Sequence, residues 1–278
     1  MKKTSYFKIG SSSRKGFVSK FQDKELKEVI NQNKISKLRN KIITKSSENM
    51  NELIDNCISL TVTSPPYNIG KDSDEDLSDD EYWKMITKVF EEVYRVTESG
   101  GRLVVNVANL GRKPYIPFSK YFIEIILEIG FLMRGEIIWQ KSKGANANFA
   151  WGSWLSPSNP VIRDIHEYCL VFSKDSMKNS AKGEPTIKKE EFMESTLSIW
   201  NITPARAKKI GHPAPFPVEL PKRFINLYSF KNDLILDPFI GSGSTAIAAK
   251  LLDRDYIGYE LNPEYVKIAK NRLKNETS

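Results

Sequence analysis

A glycine-rich turn late in the chain most constrains what this sequence can fold into. Leu234–Asp237 reads as a short buried strand, and Gly241 and Gly243 open the helix that follows. Glycine lets a ligand approach the backbone closely, and a helix N-terminus offers free N–H donors. Glu260 ends the next predicted strand, where a carboxylate can accept both ribose hydroxyls. The segment predicts a nucleotide-type cofactor site. A dinucleotide fold remains open, because Ala246 completes a GxGxxA spacing.

Strand-like and helix-like segments alternate along the rest of the chain. Ser78 and Glu81 have the spacing of a capping box, which predicts a helix beginning there and running to about Val96. Strands are predicted at 42–44, 58–62, 102–107, 135–139, 167–172, 234–237 and 256–260. This alternation predicts an α/β fold, with a mostly parallel sheet covered by helices on both faces.

The bulk properties narrow the class further. The 278 residues fit one large domain or one domain with a small insert. There is no run of about 18 apolar residues, and the N-terminus has no apolar signal region, so we expect a cytoplasmic protein without a membrane span. Cys57 and Cys169 are the only cysteines and have no metal-ligand spacing. We expect neither a metal site nor a disulfide framework.

Positive charge is concentrated at the start of the chain. Residues 1–45 hold 13 Lys and Arg against 3 Asp and Glu, whereas the net charge of the whole chain is only +8. A basic arm on a nearly neutral body suits contact with nucleic-acid phosphates. A solubilising tail explains the same composition equally well.

A second informative segment comes early, directly after a buried-looking strand. Ser64, Pro65, Pro66 and Tyr67 follow residues 58–62. The two prolines remove two N–H donors and stiffen the backbone. A fixed carbonyl and the Ser64 hydroxyl can accept hydrogen bonds from an exocyclic amine, and Tyr67 can stack on the base that bears it. Alone, the segment could also be a structural turn.

Together the segments SPPY and DPFIGSGST resemble the motifs of DNA amino-methyltransferases. Their order, with SPPY first, resembles the permuted β group of that family. The resemblance implies a Rossmann-like methyltransferase fold with a seven-stranded sheet, and S-adenosylmethionine as the cofactor. It also implies a target base that is flipped out of duplex DNA for transfer to its exocyclic nitrogen.

The resemblance also assigns residues to roles. The catalytic residues would be Ser64, Pro65, Pro66 and Tyr67. The cofactor-binding residues would be Thr63, Asp237, Phe239, Gly241, Ser242, Gly243 and Glu260, together with Phe216 from a segment that resembles HPxPFP. A side chain at Gly243 is expected to block the cofactor while the fold survives. Ser46 and Ser47 stand where family members often have Gly-Asp, so the residue contacting adenosine is unassigned.

Ser64 bears on the target base. In the family, Ser at this position is typical of cytosine-N4 enzymes and Asp of adenine-N6 enzymes, so cytosine-N4 is favoured. A C5-cytosine enzyme would need a Pro-Cys nucleophile, which neither Cys57 nor Cys169 provides. The alternatives are adenine-N6 methylation on the same fold, RNA methylation and a non-catalytic nucleic-acid-binding module.

The chain divides by motif into four parts. We predict a basic arm at 1–40, a catalytic half at 41–173, a target-recognition insert at 174–211 and a cofactor half at 212–278. Contacts to DNA are expected from Arg206, Lys208 and Lys209, and from Arg163 in a long loop at 142–164. A restriction-modification role implies a cognate endonuclease acting separately. The protein itself would be a monomer or a homodimer.

Overall fold

Eight strands and six helices make up the regular structure of the described residues. In this computed structural model those residues are 37–68, 77–110, 114–141, 152–205 and 216–277. The strands are β1 (Lys41–Ile43), β2 (Ile58–Thr63), β3 (Thr97–Val107), β4 (Leu132–Lys141), β5 (His166–Ser173), β6 (Ile199–Ile202), β7 (Leu234–Asp237) and β8 (Asp255–Tyr259). The helices are α1 (Asp79–Val96), α2 (Phe118–Ile129), α3 (Lys189–Ser195), α4 (Glu219–Tyr228), α5 (Ser244–Leu251) and α6 (Pro263–Glu276).

One sheet contains all eight strands, in the order β1-β8-β7-β2-β3-β5-β4-β6. Only β5 runs against its neighbours, β3 and β4, and every other pairing is parallel. The prediction of a mostly parallel sheet is confirmed. The expected count of seven strands is wrong, because β6 adds an eighth strand beside β4 within the described residues.

Local capping chemistry fixes where two of the helices begin. At α1, the Ser78 hydroxyl accepts from the Glu81 N–H, and the Glu81 carboxylate accepts from the Ser78 N–H at 3.0 Å. The predicted capping box is therefore confirmed. At α6, the Asn262 side chain accepts from the Glu264 N–H, and Pro263 occupies the first turn. None of the helices in the described ranges is long and apolar enough to cross a membrane.

Each face of the sheet is covered by its own apolar core. On one face, α1 and α2 bury side chains such as Ile86, Phe90 and Phe122 against β3. On the other, α4 and α5 bury Phe224 and Ile247 against β2 and β7. Helices thus lie on both faces, as the alternation predicted.

The described part of the predicted insert, residues 174–205, packs against the body. β6 belongs to the sheet, and α3 lies beside α4. Glu194 of α3 pairs with Arg223 of α4 at 3.1 Å, and Asn226 donates to Glu191 at the same distance. Residues 206–211 of the predicted insert are outside the described residues.

Sheet topology brings distant parts of the sequence to one edge. Because β2, β3, β7 and β8 are mutually parallel, their carboxyl ends lie together. β5 is antiparallel, so its first residues, and the loop that leads into it, reach the same edge. We call this the carboxyl edge. In open α/β sheets, ligands bind at such edges.

Candidate active site

Asp237 joins the two segments singled out in the sequence. It ends β7 and is only 1% exposed. Its Oδ1 accepts from the Thr63 hydroxyl at 2.7 Å and from the Phe239 N–H at 3.1 Å. Its Oδ2 accepts from the Thr245 hydroxyl at 2.6 Å. Since Thr63 directly precedes Ser64, the carboxylate fixes the early segment against the late one.

The electrostatics of Asp237 reflect this position. Burial raises the pKa of its carboxyl group to about 6, although the hydrogen bonds from Thr245 and Thr63 act in the opposite direction. Both carboxylate oxygens bind groups of the protein. What Asp237 contributes to this edge is therefore the placement of the backbone on either side of it.

The glycine turn, residues 237–243, has two glycines in the left-handed region. Gly241 has φ +47° and Gly243 has φ +85°. A Cβ at Gly243 would lie 2.9 Å from the Cβ of Ala269 in α6. Close packing of α6 therefore requires this glycine. A side chain at Gly243 would therefore strain the packing of α6. That it blocks the cofactor while the fold survives stays a prediction.

Glu260, which follows β8, closes the turn from the other side. Its carboxylate accepts from the Gly241 N–H at 3.0 Å and from the Asn262 N–H at 2.8 Å. Burial raises its pKa, and these backbone donors partly offset the effect. Each carboxylate oxygen has a second lone pair. The half-buried group at the carboxyl edge can therefore still accept from a pair of ribose hydroxyls.

Arg272 of α6 holds the middle of the glycine turn, a contact that the sequence did not indicate. Its Nη1 donates to the Ser242 carbonyl at 2.8 Å and to the Ser242 hydroxyl at 3.1 Å. No local motif marks this arginine, because it lies 30 positions further along the chain.

Two predicted aromatic contacts lie at the same turn, Phe239 within it and Phe216 beside its end. The carbonyl of Phe216 accepts from the Ser244 hydroxyl at 2.9 Å, and its side chain packs against the core under α4 and α5. Phe239 is partly buried against the opposite core. The structure thus places Phe216 beside the first turn of α5, and the expected contact of both residues with the cofactor stays a prediction.

The SPPY loop, residues 64–67, is fixed by a residue that the sequence did not indicate. Tyr82, in the first turn of α1, is nearly fully buried, and its hydroxyl donates to the Pro66 carbonyl at 2.7 Å. One lone pair of that carbonyl is therefore already used. Since prolines supply no N–H groups, contacts of this kind are what hold such a loop.

Tyr67 is held at both its hydroxyl and its ring. The hydroxyl accepts from the Ala108 N–H at 2.8 Å and shares a hydrogen bond with the Ser64 side chain. Burial raises its pKa well above the usual value, and the nearby Glu167 carboxylate adds to the shift. The half-buried ring meets Phe118 edge-on at 6.1 Å. The Ser64 hydroxyl oxygen has two lone pairs, so it keeps acceptor capacity beside this hydrogen bond.

Only one of the four residues predicted to contact DNA lies within the part of the chain that the structure describes. Arg163 is exposed on the loop that enters β5 at the carboxyl edge. Arg206, Lys208 and Lys209 lie outside the described residues, as do residues 1–36 of the basic arm. The structure brings Ser64, Tyr67, Asp237, Gly241 and Glu260 to one edge.

The fold and this edge define an α/β methyltransferase. Residues 58–271 match the model of the N6/N4 methyltransferase family, described as DNA methylase. The chain belongs to this family of DNA-methylating enzymes, and its relatives are type II DNA methyltransferases.

Relatives and solved structures match along most of the chain. The type II methyltransferase M.MthZI of Methanothermobacter thermautotrophicus is 32% identical, over 87% of this chain and 78% of the relative. M.BglII of Bacillus subtilis is 31% identical, over 85% and 69%. TTHA0409 of Thermus thermophilus, solved in complex with S-adenosyl-L-methionine, has a TM-score of 0.69 and 27% identity, over 85% of this chain and 94% of that one.

Proposed function

We propose that this protein methylates the exocyclic N4 of a flipped-out cytosine in duplex DNA, using S-adenosylmethionine. Its biological role would be to protect DNA from a cognate restriction endonuclease that acts separately. The observation that supports this most is the hydrogen bond from Thr63 to Asp237. It sets the SPPY loop and the glycine turn side by side, as transfer between a cofactor and a base requires.

The residues around the glycine turn suit the cofactor. Glu260 retains acceptor capacity for ribose hydroxyls, and the backbone of Gly241 and Ser242 would border the methionine part. Phe216 and Phe239 supply apolar contact on either side of the same turn. The bound cofactor supplies a methyl group activated by its sulfonium. Asp237 and Arg272 act indirectly, by holding this backbone.

The SPPY loop would orient the target amine. The Ser64 hydroxyl keeps a lone pair beside its hydrogen bond with Tyr67, so it can accept an N–H from the base. The Pro65 carbonyl can accept a second, while that of Pro66 is engaged by Tyr82. The Tyr67 ring stacks on the flipped base and offsets part of the cost of unstacking. Tyr67 stays protonated, because its pKa is raised, and so does not serve as a base.

Ser64 favours cytosine over adenine through its resemblance to cytosine-N4 enzymes, and adenine-N6 methylation is the alternative on the same fold. The deciding experiment is mass spectrometry of nucleosides from DNA of cells that express the protein. Detection of N4-methylcytosine supports the proposal, and N6-methyladenine replaces it with the alternative. Sequencing of the methylated sites identifies the target. Transfer to tRNA but not to duplex DNA would favour RNA methylation. Failure to bind labelled S-adenosylmethionine would favour a non-catalytic nucleic-acid-binding module.

Two variants test the assigned roles in the SPPY loop. Tyr67→Ala should lose stacking worth about 1–3 kcal/mol, and Ser64→Ala should lose an acceptor for the amine. Both should bind S-adenosylmethionine normally and transfer methyl slowly. A mismatch at the target base should partly rescue Tyr67→Ala, because less unstacking is needed. Wild-type turnover by Tyr67→Ala would show that the loop is only a turn.

DNA contact is assigned to the basic arm at 1–40 and to the segment at 174–211, between the catalytic half at 41–173 and the cofactor half at 212–278. Arg163, Arg206, Lys208 and Lys209 would bind phosphates or base edges. Deleting residues 1–40 removes most of the excess positive charge, so the dependence of DNA affinity on salt should flatten. If the slope of DNA affinity against salt concentration is unchanged, the arm does not contact DNA phosphates.

A further inference from the structure

A small closed turn, residues 152–160, lies on the loop that enters β5 at the carboxyl edge. Gly152 and Pro160 pair as an isolated β-bridge. The Ser153 N–H donates to the Asn159 carbonyl at 2.9 Å, and the Asn159 N–H donates back to the Ser153 hydroxyl at 2.8 Å. Gly152 has φ +72°, and a Cβ there would lie 2.1 Å from the Asn159 carbonyl oxygen. These contacts make the turn a stiff support.

The tip of this turn presents an apolar side chain in a strained conformation. Leu155 is 88% exposed and has φ +50°. Among the described residues, every other non-glycine residue with a positive φ is Asn or Asp, the types that tolerate this region. Such strain costs of order 1–3 kcal/mol and is found where function requires it. Neither burial nor local hydrogen bonding by its side chain explains a leucine here.

The position of the turn relates it to the SPPY loop. Beyond the turn the chain passes Arg163 and enters β5 at His166, at the carboxyl edge. β5 is separated from β2 only by β3, and Ser64 follows β2. Thr63, the end of β2, is level with Leu170 of β5, and His166 begins β5 four residues nearer the carboxyl edge. With strands about 4.8 Å apart and about 3.3 Å per residue, the start of β5 lies roughly 16 Å from the end of β2. A side chain projecting from this loop can therefore reach the duplex from which the target base is flipped out toward Ser64 and Tyr67.

We propose that Leu155 inserts into the base stack of duplex DNA beside the flipped target and fills the space that the base leaves. Apolar wedges such as leucine are used in this way to unstack a base step. The turn holds Leu155 in place before binding, so little ordering is needed. Exposed Arg163, a few residues on, is placed to contact the adjacent backbone phosphate. The inference rests on the proposed methylation of a flipped base.

The test compares Leu155→Ala with Leu251→Ala. Leu251 is also an exposed leucine, at 48%, but it ends α5 just before β8 begins, at the edge of the sheet opposite the glycine turn. Single-turnover methylation is measured on three substrates that contain the identified target sequence: a matched duplex, a duplex mismatched at the target base and a single strand. Base extrusion is followed by the fluorescence of 2-aminopurine placed at the target position.

Leu155→Ala should methylate the matched duplex about tenfold more slowly, or slower still, and lose most of the 2-aminopurine signal. The mismatched duplex and the single strand should be methylated at rates near wild type, and Leu155→Met should recover the matched rate. Leu251→Ala should behave as wild type throughout. Equal methylation rates for wild type and Leu155→Ala on the matched duplex would overturn the proposal that Leu155 inserts into the base stack. An equal decrease in rate on all three substrates would overturn it as well. If wild-type protein methylates none of them, it is the proposed function that fails.

Discussion

The hydroxyl of Thr63 donates to the carboxylate of Asp237 across 2.7 Å, although the two residues lie 174 positions apart. Thr63 is the last residue of β2, and Asp237 is the last residue of β7. The bond therefore ties the start of the SPPY loop to the start of the glycine turn. Because the carboxylate is buried, each donor lost leaves it less well compensated.

Replacing Thr63 by Val should weaken both stability and cofactor binding. The buried carboxylate would lose one of its donors, which costs about 1–3 kcal/mol in the free energy of unfolding, and the glycine turn would lose its anchor. Thr61→Val is a matched control. Thr61 lies on the same face of β2, and its buried hydroxyl has no hydrogen-bond partner among the described residues. Urea unfolding and calorimetry with S-adenosylmethionine check the pair; equal effects would contradict a special role for Thr63.

Tyr82→Phe should slow methyl transfer without changing affinity for S-adenosylmethionine. Its hydroxyl holds the Pro66 carbonyl, so its loss should loosen the loop that orients the base. Tyr94→Phe is the control, since Tyr94 is in the same helix and donates to Asp175, away from the loop, at 3.0 Å. Each variant should lose about 0.5–1.5 kcal/mol of stability. Only Tyr82→Phe should lower the single-turnover rate, and a matching decrease in Tyr94→Phe would point to stability alone.

Gly243→Ala should destabilise the fold rather than simply block the cofactor. The new Cβ would meet Ala269, and an alanine at φ +85° is strained, for a cost of about 1–3 kcal/mol or more. Gly135→Ala provides the comparison, because a Cβ there has no neighbour within 4 Å. Thermal unfolding should show a clear decrease only for Gly243→Ala. Unchanged stability in Gly243→Ala would indicate that the glycine serves only to let the cofactor approach the backbone, as its sequence motif suggested.

The dependence of stability on pH should reflect the ionisation of Glu98, near the amino end of β3. Burial, together with the charge of Asp233, raises the pKa of its carboxyl group from 4.5 to about 7. The folded state holds this proton more tightly than the unfolded chain. The stability contributed by Glu98 is therefore complete below pH 4.5 and is lost as the pH rises through about 7.

Glu98→Gln keeps a hydrogen-bonding side chain but cannot ionise. The stability of the variant relative to wild type should increase between pH 5 and pH 8 by an amount on the order of 2 kcal/mol. Glu190→Gln, at an exposed position in α3, should leave the pH dependence of wild type unchanged. Urea unfolding across this range measures both variants. Parallel curves for Glu98→Gln and wild type would show that Glu98 is ionised throughout.

Features that depend on neighbouring residues were predictable from the sequence. The capping box at Ser78 and Glu81 involves residues three positions apart, and the strands follow runs of β-branched residues. β6 was missed because it is four residues long and lies in a polar segment. There only Trp200 and Ile202 face inward.

The site was predictable in its parts but not in its connections. The sequence indicated the SPPY loop and the glycine turn from their own residues. It did not indicate that Tyr82 holds Pro66 or that Arg272 holds Ser242, because these contacts join residues that share no motif. The Thr63 and Asp237 pair is likewise a product of sheet order, since nothing local shows that β2 and β7 are neighbours.

The strand order has a consequence for how the protein is made. β7 and β8 lie between β1 and β2 in the sheet, yet they are translated long after both. With 174 positions separating Thr63 from Asp237, and a ribosome adding about 5–20 residues per second, β2 waits roughly 10 to 35 s for its partner. A nascent chain therefore displays open strand edges during that interval, which invites chaperone binding. Modification of DNA can begin only when synthesis is nearly finished.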